Sequence, residues 1–170
     1  MLESPTNTQY LVRRVQAMIK QAYPKEQNLD LDDHHIENVL MWAAKRLTFL
    51  QDLTDSKLSF LWVRPNDFKL KYITHVFLEQ MQSLIEHLAC AQFTKDKLNG
   101  KLKKFADKNQ LKFATFMKTL RSVLSGLKEG PGVAEMMNIL SSEAVLQRLK
   151  SCINKQREQA DQKQQRNNEI

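Results

Sequence analysis

The stretch Ser125-Gly-Leu-Lys-Glu-Gly-Pro-Gly-Val-Ala-Glu-Met-Met137 holds three of the four glycines in a chain of 170 residues, Gly126, Gly130 and Gly132, with Pro131 between the last two. The sequence on either side is written in helical period. Gly126 follows Leu124-Ser125 and fits the left-handed position that ends a helix. Pro131 fits the first turn of the next helix, where its missing N–H costs nothing. The stretch therefore reads as a corner between two helices. On local physics alone it is either a tight helix–helix turn or something more exposed. In the second reading the first amides of the following helix, its positive dipole end and two absent side chains lie bare. Arg121 stands one turn before the corner, with Lys112 and Lys118 on the same helix. A cation beside uncovered backbone suits unstacked bases.

Outward from the corner the 3.6-residue period dominates and strand signals are nearly absent, so the fold class is all-α, a multi-helix bundle. Upstream, Leu111 to Leu124 carries Phe113, Phe116, Leu120 and Leu124 on one side. Thr94 is placed to cap a helix with Leu98, Leu102 and Phe105 inward. A long helix capped by Asn66 would carry Leu70, Ile73, Phe77, Met81, Leu84, Ile85 and Leu88. Before it comes the apolar burst Leu58-Ser-Phe-Leu-Trp-Val63, closed by Arg64-Pro65, because the residue before a proline is pushed out of the α region. Asp32 is a plausible N-cap for a stripe of Ile36, Val39, Leu40, Ala43, Leu47 and Leu50. The first stripe is Leu11, Val15, Met18, Ile19 and Ala22, ended by Pro24. Between these two, Lys25 to Asp33 is polar and acidic and reads as a surface loop. Downstream of the corner, Val133 to Leu140 forms a short helix, and Ser141 or Ser142 caps a last one through Val145, Leu149 and Ile153. The polar end from Gln156 to Ile170 is a fraying helix end or disorder, since it has too little apolar surface to offset chain entropy.

A chain of this length makes one domain or two small helical lobes, and buries a core without disulfides or metals. A soft boundary near Gln92 gives residues 1–91 as a first lobe, 92–154 as a basic lobe with the corner, and 155–170 as the polar tail. Cys90, after Leu88-Ala89 on an apolar face, and Cys152, before Ile153, read as reduced core or near-core thiols rather than a bridge. No run of eighteen apolar residues occurs, so no membrane span is expected. Met1 to Asn7 has no apolar signal region.

The formal net charge is +7. The segment Lys95 to Arg121 holds eight lysines and one arginine against Asp96 and Asp107, which equals the charge of the whole chain. Such a segment is either a solvated helical face or a surface for a phosphate backbone. Catalytic chemistry is not marked. His34 and His35 are adjacent, so on a helix they diverge by about 100°. His87 and Cys90 are three apart, with no second pair to complete a metal site. Asp30, Asp32 and Asp33 lack the spacing and glycine of a calcium loop. The glycine-rich turn follows neither phosphate-loop pattern. No catalytic residue and no metal ligand is expected.

A resemblance adds to this. Lys118-Thr-Leu-Arg-Ser-Val-Leu-Ser-Gly126, Gly130-Pro-Gly-Val-Ala-Glu-Met-Met137 and Leu146-Gln-Arg-Leu149 resemble the end of the anticodon-binding region of discriminating-type bacterial and mitochondrial glutamyl-tRNA synthetases. Arg46-Leu-Thr-Phe-Leu-Gln-Asp-Leu53 is similar to that family's segment before a short aromatic burst. Phe60-Leu-Trp-Val-Arg-Pro65 looks most like the mitochondrial members. The likeness covers most of Leu11 to Ile153. It implies an all-helical pair of lobes that grips the tRNA anticodon. By position, Arg121, Gly130, Pro131 and Val133 match residues that contact anticodon bases, and Arg46 matches an arginine of the helical lobe that touches the first. Lys103, Lys104, Lys112 and Lys118 would meet phosphate. Ser141 stands where the family often has glycine, so the second corner is built with a serine cap. The resemblance further implies tRNA(Glu), and on a broader reading tRNA(Gln), as partner. The chain is expected to be a monomer in the mitochondrial matrix (otherwise the cytoplasm), with a catalytic domain upstream in the same or another chain. ATP and magnesium belong to that catalytic part, because the HIGH-like and KMSKS-like motifs do not occur in these residues; Thr54-Asp-Ser-Lys-Leu-Ser59 resembles the latter only superficially. No cofactor is expected for this chain. The alternative is a helical protein-interaction or trans-acting module derived from the synthetase.

Overall fold

The protein is described here from a computed structural model that covers residues 5–66, 68, 75–91 and 93–168. It is all-α. Six helices follow in order: α1 (Pro5–Ala22), α2 (Asp33–Ala43), α3 (His75–Ala89), α4 (Lys95–Lys108), α5 (Phe113–Ser125) and α6 (Val133–Asn168). Two 3₁₀ segments, Leu50–Thr54 and Ser56–Leu61, join α2 to the rest. Among the described residues the extended pairing is one isolated bridge, Leu29 with Val63. One apolar cluster runs from Val12 to Ile153.

Local chemistry explains most boundaries. Asp32 caps α2, its carboxylate accepting from the amides of His34 and His35 at 3.0 and 3.2 Å. The apolar stripe from Ile36 to Leu50 is not one helix, because α2 stops at Ala43. Further along, two aspartates take nearby amides, an alternative to helical bonding. Asp52 accepts from Phe49 N at 2.9 Å and Asp55 from Lys57 N at 2.8 Å, each opening a 3₁₀ segment instead. Those segments deliver Leu53, Phe60, Leu61 and Trp62 to the core, and the Trp62 indole N–H donates to the Leu53 carbonyl at 2.9 Å. Thr94 occupies the N-cap of α4 without making a side-chain cap bond. Leu98, Leu102 and Phe105 of α4 are buried as their spacing predicts, whereas Phe113 of α5 is 37% exposed. Phe105 bridges the ring of His87 on α3 and that of Phe116 on α5, each centroid 5.7 Å away. Phe68 is not helical, so Asn66 does not cap α3 directly. The expected positions Leu70 and Ile73, and the boundary residue Gln92, lie outside the described residues.

The long α6 packs against α2, α3, α4 and α5. It is two helical pieces, broken at Ser141, whose φ of 74° and ψ of 162° are not helical. The expected corner between Leu140 and the last helix is therefore present, in a conformation that side chains rarely adopt. Past Gln156 the helix continues, and residues 157–166 are exposed. Cys152 is buried, and burial pushes its thiol up to about 11. Cys90 is exposed just after α3. The apolar neighbours Leu88 and Ala89 misled that assignment: Leu88 turns inward and Ala89 outward, and the chain leaves the helix before Cys90.

The Lys25 to Asp33 connection is more than a surface loop. Asp30 N donates to the Trp62 carbonyl at 2.8 Å, beside the Leu29–Val63 bridge. The Asp30 carboxylate then receives Arg64 through Nε and Nη2, at 2.8 and 2.6 Å, on one oxygen. Arg148 of α6 donates to the other at 3.1 Å. Arg148 is 3% exposed and also donates to the Leu124 carbonyl at 2.5 Å. Burying a guanidinium is costly unless it is paired and hydrogen-bonded, and these two partners supply that. The knot ties the loop, the 3₁₀ exit, the end of α5 and α6 to one point.

Candidate nucleic-acid interface

The corner between α5 and α6 follows from its glycines. Gly126 has φ 68° and closes α5, its amide donating to the Ser122 carbonyl at 2.9 Å. Ser125 is buried, its hydroxyl donating to Arg121 O at 2.8 Å and accepting from Leu127 N at 3.1 Å. Gly130 has φ 148°, again a value that side chains rarely take. Gly132, not Pro131, takes the first helical bond of α6, from Met136 N at 2.8 Å. Pro131 lies two residues before the first helical residue rather than within the first turn. Its fixed φ orients the chain entering α6, and its carbonyl turns back toward α5.

That carbonyl accepts from Arg121 Nη1 at 2.7 Å. Arg121 is half-buried, one turn before the corner, and its guanidinium runs beside Gly130: a Cβ there would stand 3.6 Å from Nη1. One guanidinium edge is thus anchored on backbone. A groove of about 250 Å³ opens alongside, lined by Lys95 and Asn99 of α4, Met117, Lys118 and Arg121 of α5, and residues 132–135. Three cations face one carboxylate there, Glu135. The first amides of α6, at Val133, Ala134 and Glu135, precede the first helical donor and add positive potential at the groove wall. Val133 lines the groove yet is only 3% exposed, so this position offers a ligand its backbone rather than its side chain.

Arg46 reaches the same place by a different route. It follows α2, and its guanidinium pairs with Glu135 at 2.6 Å while lying 5.2 Å from the Trp42 ring centroid. Trp42 also donates its indole N–H to Glu135 at 2.9 Å. Glu135 therefore joins the arginine after α2 to the groove beside Arg121.

The other predicted residues divide. Lys118 lines the groove. Lys103 lies two turns beyond Lys95 along the Lys95–Asn99 row of α4, and Lys104 points about 100° further round the helix. Lys112 sits at the opposite end of α5 from Arg121. All of these lysines are exposed. Lys95, Trp42 and Glu135 were missed as members of the site. The quoted corner contains Glu135, but an acid in the first turn of a helix has an ordinary explanation in the helix dipole, which hid its contact with Trp42, 93 residues away. Among the described residues no group of three His, Cys, Asp or Glu could hold a metal ion, and no helix is long and apolar enough to cross a membrane.

Comparison with known proteins places the chain in a family and a fold. The model of the anticodon binding domain matches residues 10–153. The chain is similar to glutamate–tRNA ligase 1 of Jannaschia sp. (strain CCS1), 35% identical over 113 residues, which is 64% of this chain and 24% of that protein. It is 26% identical over 121 residues to the glutamate–tRNA ligase of Methylobacillus flagellatus, covering 69% of this chain and 26% of that one. A crystal structure of a glutamate tRNA ligase from Elizabethkingia meningosepticum shares the fold, with a TM-score of 0.61 at 22% identity, over 87% of this chain and 31% of the other. The fold and the family match thus define an all-helical anticodon-binding module. The chain belongs to the anticodon-binding domain family, and it spans about a quarter of the length of these two glutamate–tRNA ligases.

Proposed function

We propose that this chain binds the anticodon arm of tRNA(Glu) and serves glutamylation by positioning that arm for a catalytic domain. The observation that carries the reading is the Arg121 guanidinium, anchored by one edge on the Pro131 carbonyl and set in a groove with Lys95 and Lys118. An anchored planar fork can pair with a base edge or lie on a base face, whereas lysine does neither as well. Arg121, the backbone of Gly130, Pro131 and Val133, and Arg46 would read bases. Lys103, Lys104, Lys112 and Lys118 would meet phosphates, which position the arm without reading it. The activity proposed for these residues is binding. A role in mitochondrial translation is part of the proposal and is supported by the likeness of Phe60-Leu-Trp-Val-Arg-Pro65 to mitochondrial members.

The test is a binding titration of tRNA(Glu) and of transcripts altered at each anticodon base, with tRNA(Gln) in the same series. The parent chain should bind tRNA(Glu) and rank the variants. Arg121→Ala should cost about 1–3 kcal/mol, the range for a base-reading contact, and flatten the ranking. A variant that ranks the anticodons as the parent does would leave the corner as architecture.

A further inference from the structure

A second polar recess borders the glycine corner, reached from Pro65 rather than from Arg121. Its volume is about 620 Å³, and residues 25–29, 64–66, Gln147, Arg148 and Ser151 line it. Pro65 connects it to the corner, since a Cβ on Gly126 would lie 3.7 Å from Pro65 Cβ. Among the described residues, Lys25, Arg64 and Arg148 line the recess with one acid, Glu26. Behind them Asp30 offers one carboxylate, which the two arginines divide, Arg64 on one oxygen at 2.6 Å and Arg148 on the other at 3.1 Å. Among the described residues, three cations against two carboxylates leave the wall with an excess positive charge. Lys155 adds a further cation nearby, bonded to the Asn66 carbonyl.

Arg148 is 3% exposed and its Nε is covered by the fold, so it contributes charge to the wall rather than a donor. An anion in the recess would answer the excess charge. Asn28, Asn66, Gln147 and Ser151 supply neutral donors around it. Guanidinium forks with amide and hydroxyl donors are the set that recognises a tetrahedral oxyanion. We infer that this recess is a phosphate-binding site, separate from the base-reading groove. It goes beyond the proposed anticodon reading and does not depend on it.

The phosphate can be free or part of a polynucleotide backbone, and two measurements separate these. In the first, inorganic phosphate is titrated against chloride at equal ionic strength while the melting temperature is followed. The parent chain should melt higher with phosphate. Gln147→Glu, which sets a carboxylate at an exposed helical position on the recess wall, should abolish the rise. Gln159→Glu makes the same charge change on the exposed end of α6 and should keep it. Equal rises in all three proteins, or no rise in the parent, would overturn the site. In the second, tRNA affinity is measured at fixed salt. If a backbone phosphate is the ligand, Gln147→Glu should bind about tenfold more weakly than Gln159→Glu, the worth of one charge-assisted contact, with the anticodon ranking retained. Equal affinities alongside an abolished melting rise would assign the site to free phosphate.

Discussion

Arg121 and Arg148 make the same kind of bond and serve opposite ends. Each donates to a backbone carbonyl near the glycine corner, Arg121 to Pro131 and Arg148 to Leu124. Arg148 is 3% exposed and gives a second bond to Asp30, whose carboxylate also holds Arg64, so that four segments of the chain meet. Arg121 is half-buried beside a groove, and its remaining edge faces neighbours that are mostly cationic. Burial decides the difference. A fully buried guanidinium must be matched by the fold itself, whereas one left at a groove keeps donors for something that arrives.

The sharpest way to break this contrast is Arg148→Met. Removing one partner of a buried pair should cost about 3–5 kcal/mol. Urea unfolding should show it, and a loss under about 1 kcal/mol, the value of exposed pairs, would move Arg148 out of the architectural class. Next in size is Arg121→Lys, which keeps the charge and discards the fork. It should lose roughly 1–2 kcal/mol of tRNA affinity, confined to cognate anticodons, with the slope of affinity against salt unchanged and the melting temperature close to the parent's. A drop in melting temperature with intact anticodon ranking would place Arg121 beside Arg148 as a structural tie.

Smaller still, Ser141→Gly should raise stability by about 1 kcal/mol, because φ 74° with ψ 162° costs a side chain on that order and glycine little. A neutral or negative change would mean that Ser141 gains more from its surroundings than its backbone loses. Lys103→Ala with Lys104→Ala should weaken all tRNAs about equally and lower the salt slope by roughly 1–2, as two phosphate contacts would. An unchanged slope would remove α4 from the interface.

A pH effect probes the knot from another side. Burial holds the His35 imidazole below its ordinary value, while its Nε2–H donates to the Leu61 carbonyl at 2.7 Å. The folded state therefore takes up its proton later than the unfolded chain. Stability should be full above the unfolded value of about 6.5 and fall as pH drops below it, levelling once the folded imidazole also protonates. His35→Gln should remove that dependence between pH 7 and 5, and an identical slope in the variant would assign it to other groups.

What sequence could reveal depended on distance along the chain. Gly126 was readable because a helix end needs a left-handed residue at one exact position. The stripe of Leu98, Leu102 and Phe105 was readable because period alone decides it. Asp30 and Arg148 are 118 residues apart. Taken singly they look like ordinary surface charges, and only the folded chain shows that each exists for the other. The Trp42–Glu135–Arg46 contact was hidden for the same reason. At α2 the stripe ran too far because apolar spacing does not register where the helix stops: it ends at Ala43, and Asp52 and Asp55 each take an amide at the start of a 3₁₀ segment further on. Pro131 lies two residues ahead of the first helical residue instead of in the first turn, because composition marks a helix start without saying whether the proline or the glycine after it accepts the first bond.

The two thiols give the molecule a built-in stopwatch. Cys90 is exposed and Cys152 is buried in the long last helix, with its thiol pushed up to about 11. Since the thiolate is the nucleophile, an alkylating reagent at neutral pH should modify Cys90 promptly and reach Cys152 only when that helix lifts away. The fast label calibrates the reagent in every tube, and the slow one counts openings. Adding a polyanion that closes over the corner would then appear as a lengthening of the second interval alone.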